Sequence, residues 1–163
     1  MTANLNVGDA APDFTRLAAG GEQISLSQFR GRSAVVLYFY PRDNTSVCTA
    51  EACLFRDNYE SFQSAGAEVI GVSPNSLESH RQFANQNRLP FHLLSDADGS
   101  LRALYGVAQI LWVIPNRTTF VIDRQGIVRH VYSAMFQAAR HVEEALRVLA
   151  ELQAAGSQPN RHA

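Results

Sequence analysis

Ser33-Ala34-Val35-Val36-Leu37-Tyr38-Phe39-Tyr40 runs directly into Pro41-Arg42-Asp43-Asn44-Thr45-Ser46-Val47-Cys48, and this passage from an apolar run into a polar turn decides the fold. The run is apolar after Ser33 and rich in β-branched and aromatic residues, the pattern of a strand buried on both faces and central in its sheet. Pro41 lacks a backbone donor and ends the strand. From Cys48 to Ser64 apolar residues recur at helical spacing, so the turn carries the chain from a strand to a helix N-terminus.

The alternation continues outward. Ala67 to Val72, ending at Ser73-Pro74-Asn75, reads as a second buried strand. Thr118 to Ile122 followed by Asp123-Arg124-Gln125-Gly126 reads as a strand and tight turn, with Ile127 to Tyr132 returning as its hairpin partner. Helical patterns cover Leu77 to Asn87, Gln137 to Gln153 and, briefly, Gly99 to Tyr105. Strands alternating with helices specify a layered α/β fold, and the late hairpin makes its sheet mixed. The last helix aligns Val142, Leu146, Leu149 and Leu152, with Glu143 and Arg147 as an i,i+4 pair opposite. A single domain over residues 1–155 is expected, with 156–163 a flexible polar tail.

Composition removes several function classes. The chain has 163 residues, enough for one self-sufficient core, and a formal net charge of -1 that gives no electrostatic case for nucleic acid or an anionic membrane. All 14 residues counted as Lys+Arg are arginine, which excludes Schiff-base chemistry and a P-loop lysine. No GxGxxG pattern supports a dinucleotide cofactor. Neither a signal-like N-terminus nor a membrane-length apolar run is present, so a cytoplasmic protein is expected. His80, His92, His130, His141 and His162 lack ligand spacing, and no metal or other cofactor is expected.

The chemistry then rests on the two cysteines, Cys48 and Cys53. A thiol at a helix N-terminus meets unpaired backbone N–H groups and the positive end of the helix dipole, both of which favour thiolate. At about 100° per residue, Cys48, Ala52, Phe55, Tyr59 and Phe62 share one buried stripe. Cys53 falls about 140° away, beside Arg56, Asp57 and Glu60, and is expected nearer solvent. Five residues apart on an intact helix, the two Cα atoms stand about 8 to 9 Å apart, beyond the disulfide range of about 4.4 to 6.8 Å. Any pairing therefore requires the first turns to unwind.

Pro41, Thr45 and Cys48 match Pro-x-x-x-Thr-x-x-Cys, and the chain resembles the peroxiredoxins, an AhpC/TSA-like group of the thioredoxin-like superfamily. Cys53, five residues on, is similar to the second cysteine of the Q subfamily, the bacterioferritin comigratory protein type. Further agreement lies at Val7 to Phe14, Phe39-Tyr40-Pro41, Leu93-Leu94-Ser95-Asp96 and Arg117 to Asp123. The resemblance implies a thioredoxin-like fold: a central mixed β-sheet flanked by helices on both faces, with an N-terminal extension. Ser46-Val47 stands where the family commonly has Pro-Gly, which touches the hinge that would unwind. The segment from Gly106 to Arg117, with Ile110-Leu111-Trp112-Val113-Ile114, is shorter and more apolar than the family pattern.

The implied function is reduction of hydrogen peroxide and organic hydroperoxides. Cys48 becomes a sulfenic acid, Cys53 resolves it as an intramolecular disulfide, and thioredoxin or a similar dithiol recycles the pair. Arg117, Thr45 and Pro41 complete the implied catalytic set, and a monomer or weak dimer is implied. The competing reading is a non-catalytic redox sensor that signals by unwinding the cysteine helix. A general thiol-disulfide oxidoreductase would need Cys-x-x-Cys, which is absent.

Overall fold

The structure, a computed structural model, describes residues 5–110 and 114–157. In chain order the elements are β1 (Thr15–Leu17), β2 (Gln23–Ser25), β3 (Ala34–Phe39), α1 (Ser46–Asp57), α2 (Tyr59–Ser64), β4 (Ala67–Ser73), α3 (Leu77–Asn87), β5 (His92–Ser95), α4 (Ser100–Leu104), β6 (Gln109–Ile110), β7 (Ile114–Pro115), β8 (Thr118–Ile122), β9 (Val128–Ser133) and α5 (Ala138–Ser157). The main sheet has the order β5-β4-β3-β8-β9. Strand β3 is parallel to β4 and antiparallel to β8, while β8 and β9 form the expected hairpin. The fold is thioredoxin-like, with the mixed sheet between layers of helix.

Every residue of β3 is buried, as its unbroken apolar run requires. Val36, Tyr38 and Tyr40 point to the side of Phe55, Phe62, Phe83 and the α5 residues Val142, Ala145 and Leu149. Val35, Leu37 and Phe39 point to the other side, toward Leu101, Tyr105 and the N-terminal Phe14, Ile24 and Leu26. Each such side chain contributes about 1.5 to 3 kcal/mol through burial, so the strand that leads to the cysteine is a rigid mount. Gly71 lies opposite Tyr38 in the β3–β4 register, and a Cβ there would stand 2.9 Å from the Tyr38 hydroxyl and 2.8 Å from Leu93 Cδ2. The Tyr38 ring occupies the space a side chain would need.

Three features differ from the sequence reading. The helix expected over Cys48 to Ser64 starts earlier, at Ser46, and is divided at Asn58, where the backbone leaves helical geometry (φ -104°, ψ 8°). Asn58 Nδ2 donates to the Leu54 carbonyl at 2.8 Å, a side-chain bond that competes with the helix ladder. The hairpin β1–β2 and edge strand β5 did not stand out, being three, three and four residues long. Helix α5 continues beyond Gln153 to Ser157. Leu111, Trp112 and Val113 of the apolar segment, and residues 158–163 of the expected tail, lie outside the described residues; β6 and β7 on either side of the former pair antiparallel.

Candidate active site

The turn after β3 is shaped by two residues of opposite behaviour. Asp43 turns inward and is 5% exposed, while Asn44 takes a left-handed conformation (φ 64°) that asparagine tolerates better than most residues. Thr45 is the N-cap residue of α1, a position that Ser46 does not fill. The Thr45 hydroxyl does not cap the helix; it donates back to the Arg42 carbonyl at 3.1 Å and is exposed. Cys48 is the third residue of α1, within the turn whose N–H groups have no intrahelical partner. Its side chain is buried, 2% exposed.

Arg117 stands immediately before β8, which runs beside β3, and this adjacency brings it to the cysteine across 69 residues of chain. It is fully buried and uses its fork in three directions. Nη2 donates to Cys48 Sγ at 3.2 Å, Nη1 to Glu51 Oε1 at 2.6 Å, and Nε to the Met135 carbonyl at 2.9 Å. A guanidinium held at three points presents a fixed charge to the sulfur.

Glu51 completes the cluster and was not anticipated. It is fully buried, and burial pushes its carboxyl up to about 7 from the usual 4.5 against the opposing pull of Arg117. Its second oxygen, Oε2, has no hydrogen-bond partner among the described residues and lies 3.7 Å from His141 Nδ1. His141 Nε2 faces the Ala134 carbonyl at 2.7 Å, and since a carbonyl only accepts, that nitrogen carries the proton. Nδ1 then accepts from the Thr119 hydroxyl at 2.8 Å. Burial lowers the ring to about 4 from the usual 6.5, so His141 is neutral near neutrality.

Above the sulfur opens a cleft of about 620 Å³ lined by Pro41, Thr45, Val47, Cys48, Pro74, Arg117, Met135 and Phe136, among others. Pro41, Thr45, Cys48 and Arg117 therefore share one site. Cys53 does not line it. It is half-buried, with Sγ 3.6 Å from Asn87 Oδ1 at the end of α3, and Arg56 Nη1 donates to the Asn87 carbonyl at 2.8 Å on the same side. That side of α1 is thus covered by α3 and is less open than its polar neighbours suggested. Both thiols are free, and the helix is continuous between them, a rise of about 7.5 Å.

Known proteins resemble this chain in sequence and in fold. The AhpC/TSA family model matches residues 7–131. The chloroplastic peroxiredoxin Q of Populus jackii is 46% identical over 151 residues, covering 92% of this chain and 70% of that protein. The peroxidoxin BcpB of Mycobacterium tuberculosis superposes with a TM-score of 0.85 at 36% identity, over 91% of this chain and 99% of that one. The bacterioferritin comigratory protein of Xanthomonas campestris, a protein described with alkyl peroxide reduction activity, gives a TM-score of 0.79 at 30% identity, over 91% and 97% of the two chains.

Proposed function

The chain belongs to the AhpC/TSA family of peroxiredoxins, and on that premise we propose that it reduces hydrogen peroxide and organic hydroperoxides through Cys48 and Cys53 and is recycled by thioredoxin or a similar dithiol. The thiol peroxidase role follows from the family and its peroxiredoxin Q members. The observation that carries the residue assignment is the 3.2 Å hydrogen bond from buried Arg117 to Cys48 Sγ at the floor of an open cleft.

In the first step the Cys48 thiolate attacks one peroxide oxygen. The O–O bond breaks, sulfur becomes S–OH, and the departing oxygen takes a proton and leaves as water or alcohol. An ordinary thiol near pKa 8.5 is already a few per cent ionised at neutrality, so complete ionisation raises the rate only ~30-fold, or about 2 kcal/mol. The larger share must come from holding the peroxide in line and stabilising charge on the leaving oxygen. Arg117 serves both, being permanently charged and fixed by Glu51 and the Met135 carbonyl. The Thr45 hydroxyl, on the cleft wall, accepts from the peroxide once it turns from the Arg42 carbonyl. Pro41 covers the sulfur's approach without offering a competing N–H.

In the second step the Cys53 thiolate attacks the sulfenic sulfur, the S–O bond breaks, the departing hydroxide takes a proton to leave as water, and a disulfide forms. The continuous helix forbids this while α1 is intact, so its first turns unwind and Cys53 leaves Asn87. Ser46-Val47 stands at the hinge of this movement, where the family commonly has Pro-Gly. A reducing compartment such as the cytosol, and a monomer or weak dimer, suit an intramolecular cycle of this kind. The peroxiredoxin relatives favour turnover over a signalling role.

A peroxide-consumption assay with a thioredoxin system tests the proposal. Wild type turns over, Cys48→Ser is inactive, and Cys53→Ser completes one oxidation and stops. Undiminished turnover in Cys53→Ser removes its resolving role.

A further inference from the structure

Behind the active-site turn lies a second buried polar cluster that the peroxide chemistry leaves unused. Its centre is Asp43, in the loop from Pro41 to Thr45. Asp43 Oδ1 accepts from the Tyr40 hydroxyl at 2.6 Å, Oδ2 accepts from the Ser79 hydroxyl at 2.8 Å, and its own N–H donates to Asn75 Oδ1 at 2.9 Å. Oδ2 also lies 2.7 Å from His80 Nδ1. The other ring nitrogen of His80, Nε2, is 3.0 Å from the Leu94 carbonyl. His80 is wholly buried.

Both ring nitrogens of His80 thus face acceptors. A peptide carbonyl cannot donate, so Nε2 holds a proton, and the 2.7 Å contact of Nδ1 with Asp43 Oδ2 closes the pair on the other side of the ring. The groups that face the ring are the Tyr40 hydroxyl, 3.4 Å from Nδ1, and Asp43 from β3 and its turn, Ser79 from α3 and the Leu94 carbonyl from β5. Two strands of the sheet, β3 through its turn and β5, and helix α3 therefore meet at the Asp43–His80 pair.

We propose that His80 is a positioning residue for the peroxide site: paired with Asp43, it latches the Pro41–Thr45 turn to α3 and β5 and so fixes where Pro41 and Thr45 stand above Cys48. The inference rests on the peroxidase reading. Asp43 directly precedes the left-handed Asn44 and the N-cap Thr45, so its anchorage sets the start of α1. The same anchorage resists the unwinding that brings Cys48 to Cys53. A weakened latch accordingly slows peroxide attack and quickens resolution, effects of opposite sign.

Two measurements test this. In ¹⁵N-histidine spectra of the reduced full-length protein, both His80 ring nitrogens show the shifts of hydrogen-bonded atoms and the Nδ1 signal moves in Asp43→Asn; an Nδ1 signal unmoved in that variant overturns the proposal whether or not the protein consumes peroxide. Asp43→Asn keeps the side chain's shape. Well below its unfolding temperature it lowers the rate constant for Cys48 oxidation by hydrogen peroxide about tenfold and raises the rate of disulfide formation from the sulfenate. Oxidation within twofold of wild type in folded Asp43→Asn overturns the latch. A residue that only stabilises the fold would lower Tm without splitting the two steps. A wild-type Cys48 no faster than a free thiol would instead remove the peroxidase reading, with the histidine spectrum still judging the latch.

Discussion

Replacing Glu51 by glutamine, and separately His141 by glutamine, should give stability profiles that tilt in opposite directions with pH. The Glu51 carboxyl is raised to about 7 from the usual 4.5, and His141 is lowered to about 4 from the usual 6.5, each chiefly by burial. At about 1.4 kcal/mol per pH unit, each displacement is worth about 3 kcal/mol. A raised acid favours the folded state fully below its unfolded value, so the Glu51 contribution is present at pH 4.5 and is lost as pH climbs to about 7. A lowered base behaves in reverse: the His141 contribution is complete above pH 6.5 and is lost as pH falls to about 4. In wild type the two slopes oppose each other between these limits and largely cancel. Glu51→Gln preserves the Arg117 contact through its amide oxygen and should gain on wild type by about 3 kcal/mol as pH rises from 4.5 to 7. His141→Gln should gain on wild type by a similar amount as pH falls from 6.5 to 4. The assay is urea unfolding of the reduced protein in half-unit steps of pH, each variant read against wild type so that groups common to both drop out. Variants that track wild type at every pH, or tilt the same way, would refute the assignment of these buried charges.

The other expectations concern single contacts. Arg117→Lys replaces a three-way fork by one ammonium that cannot serve Cys48, Glu51 and the Met135 carbonyl together, and should lower the rate of Cys48 oxidation by about a hundredfold; stopped-flow peroxide mixing reads this. Tyr38→Phe removes a buried hydroxyl with no partner among the described residues and should raise stability by about 1 kcal/mol in urea titration. Gly71→Ala pushes a methyl into Tyr38 and Leu93, and the Tm of that variant should fall in line with a loss of about 1 to 3 kcal/mol.

The contrast between Cys48 and Glu51 shows what the sequence carried. The strand–turn–helix passage was legible because a run of six wholly buried residues has no other use, and helical spacing put Cys48, Ala52, Phe55 and Phe62 on the buried stripe where they lie. Glu51 stands three residues after Cys48, on that same stripe, and an acid on a buried stripe was the available signal. His141 likewise shares a face of α5 with Ala145 and Leu149, while in the sequence it was one of five histidines without ligand spacing. The Met135 carbonyl left no trace in side-chain identity, because backbone groups carry none. Cys53 was placed by its polar neighbours, but the covering by Asn87 comes from α3, and helical angles do not contain tertiary neighbours. The β1–β2 hairpin and β5 were too short for alternation to register.

The central claim is that Cys48 takes the peroxide oxygen and α1 then unwinds to let Cys53 resolve it. Mass spectrometric mapping of the reduced protein after one equivalent of hydrogen peroxide, under non-reducing conditions, tests it most directly. The predicted product is a Cys48–Cys53 disulfide within one chain, preceded by a transient Cys48 sulfenate. A lasting Cys48 sulfenate beside a free Cys53 would contradict it.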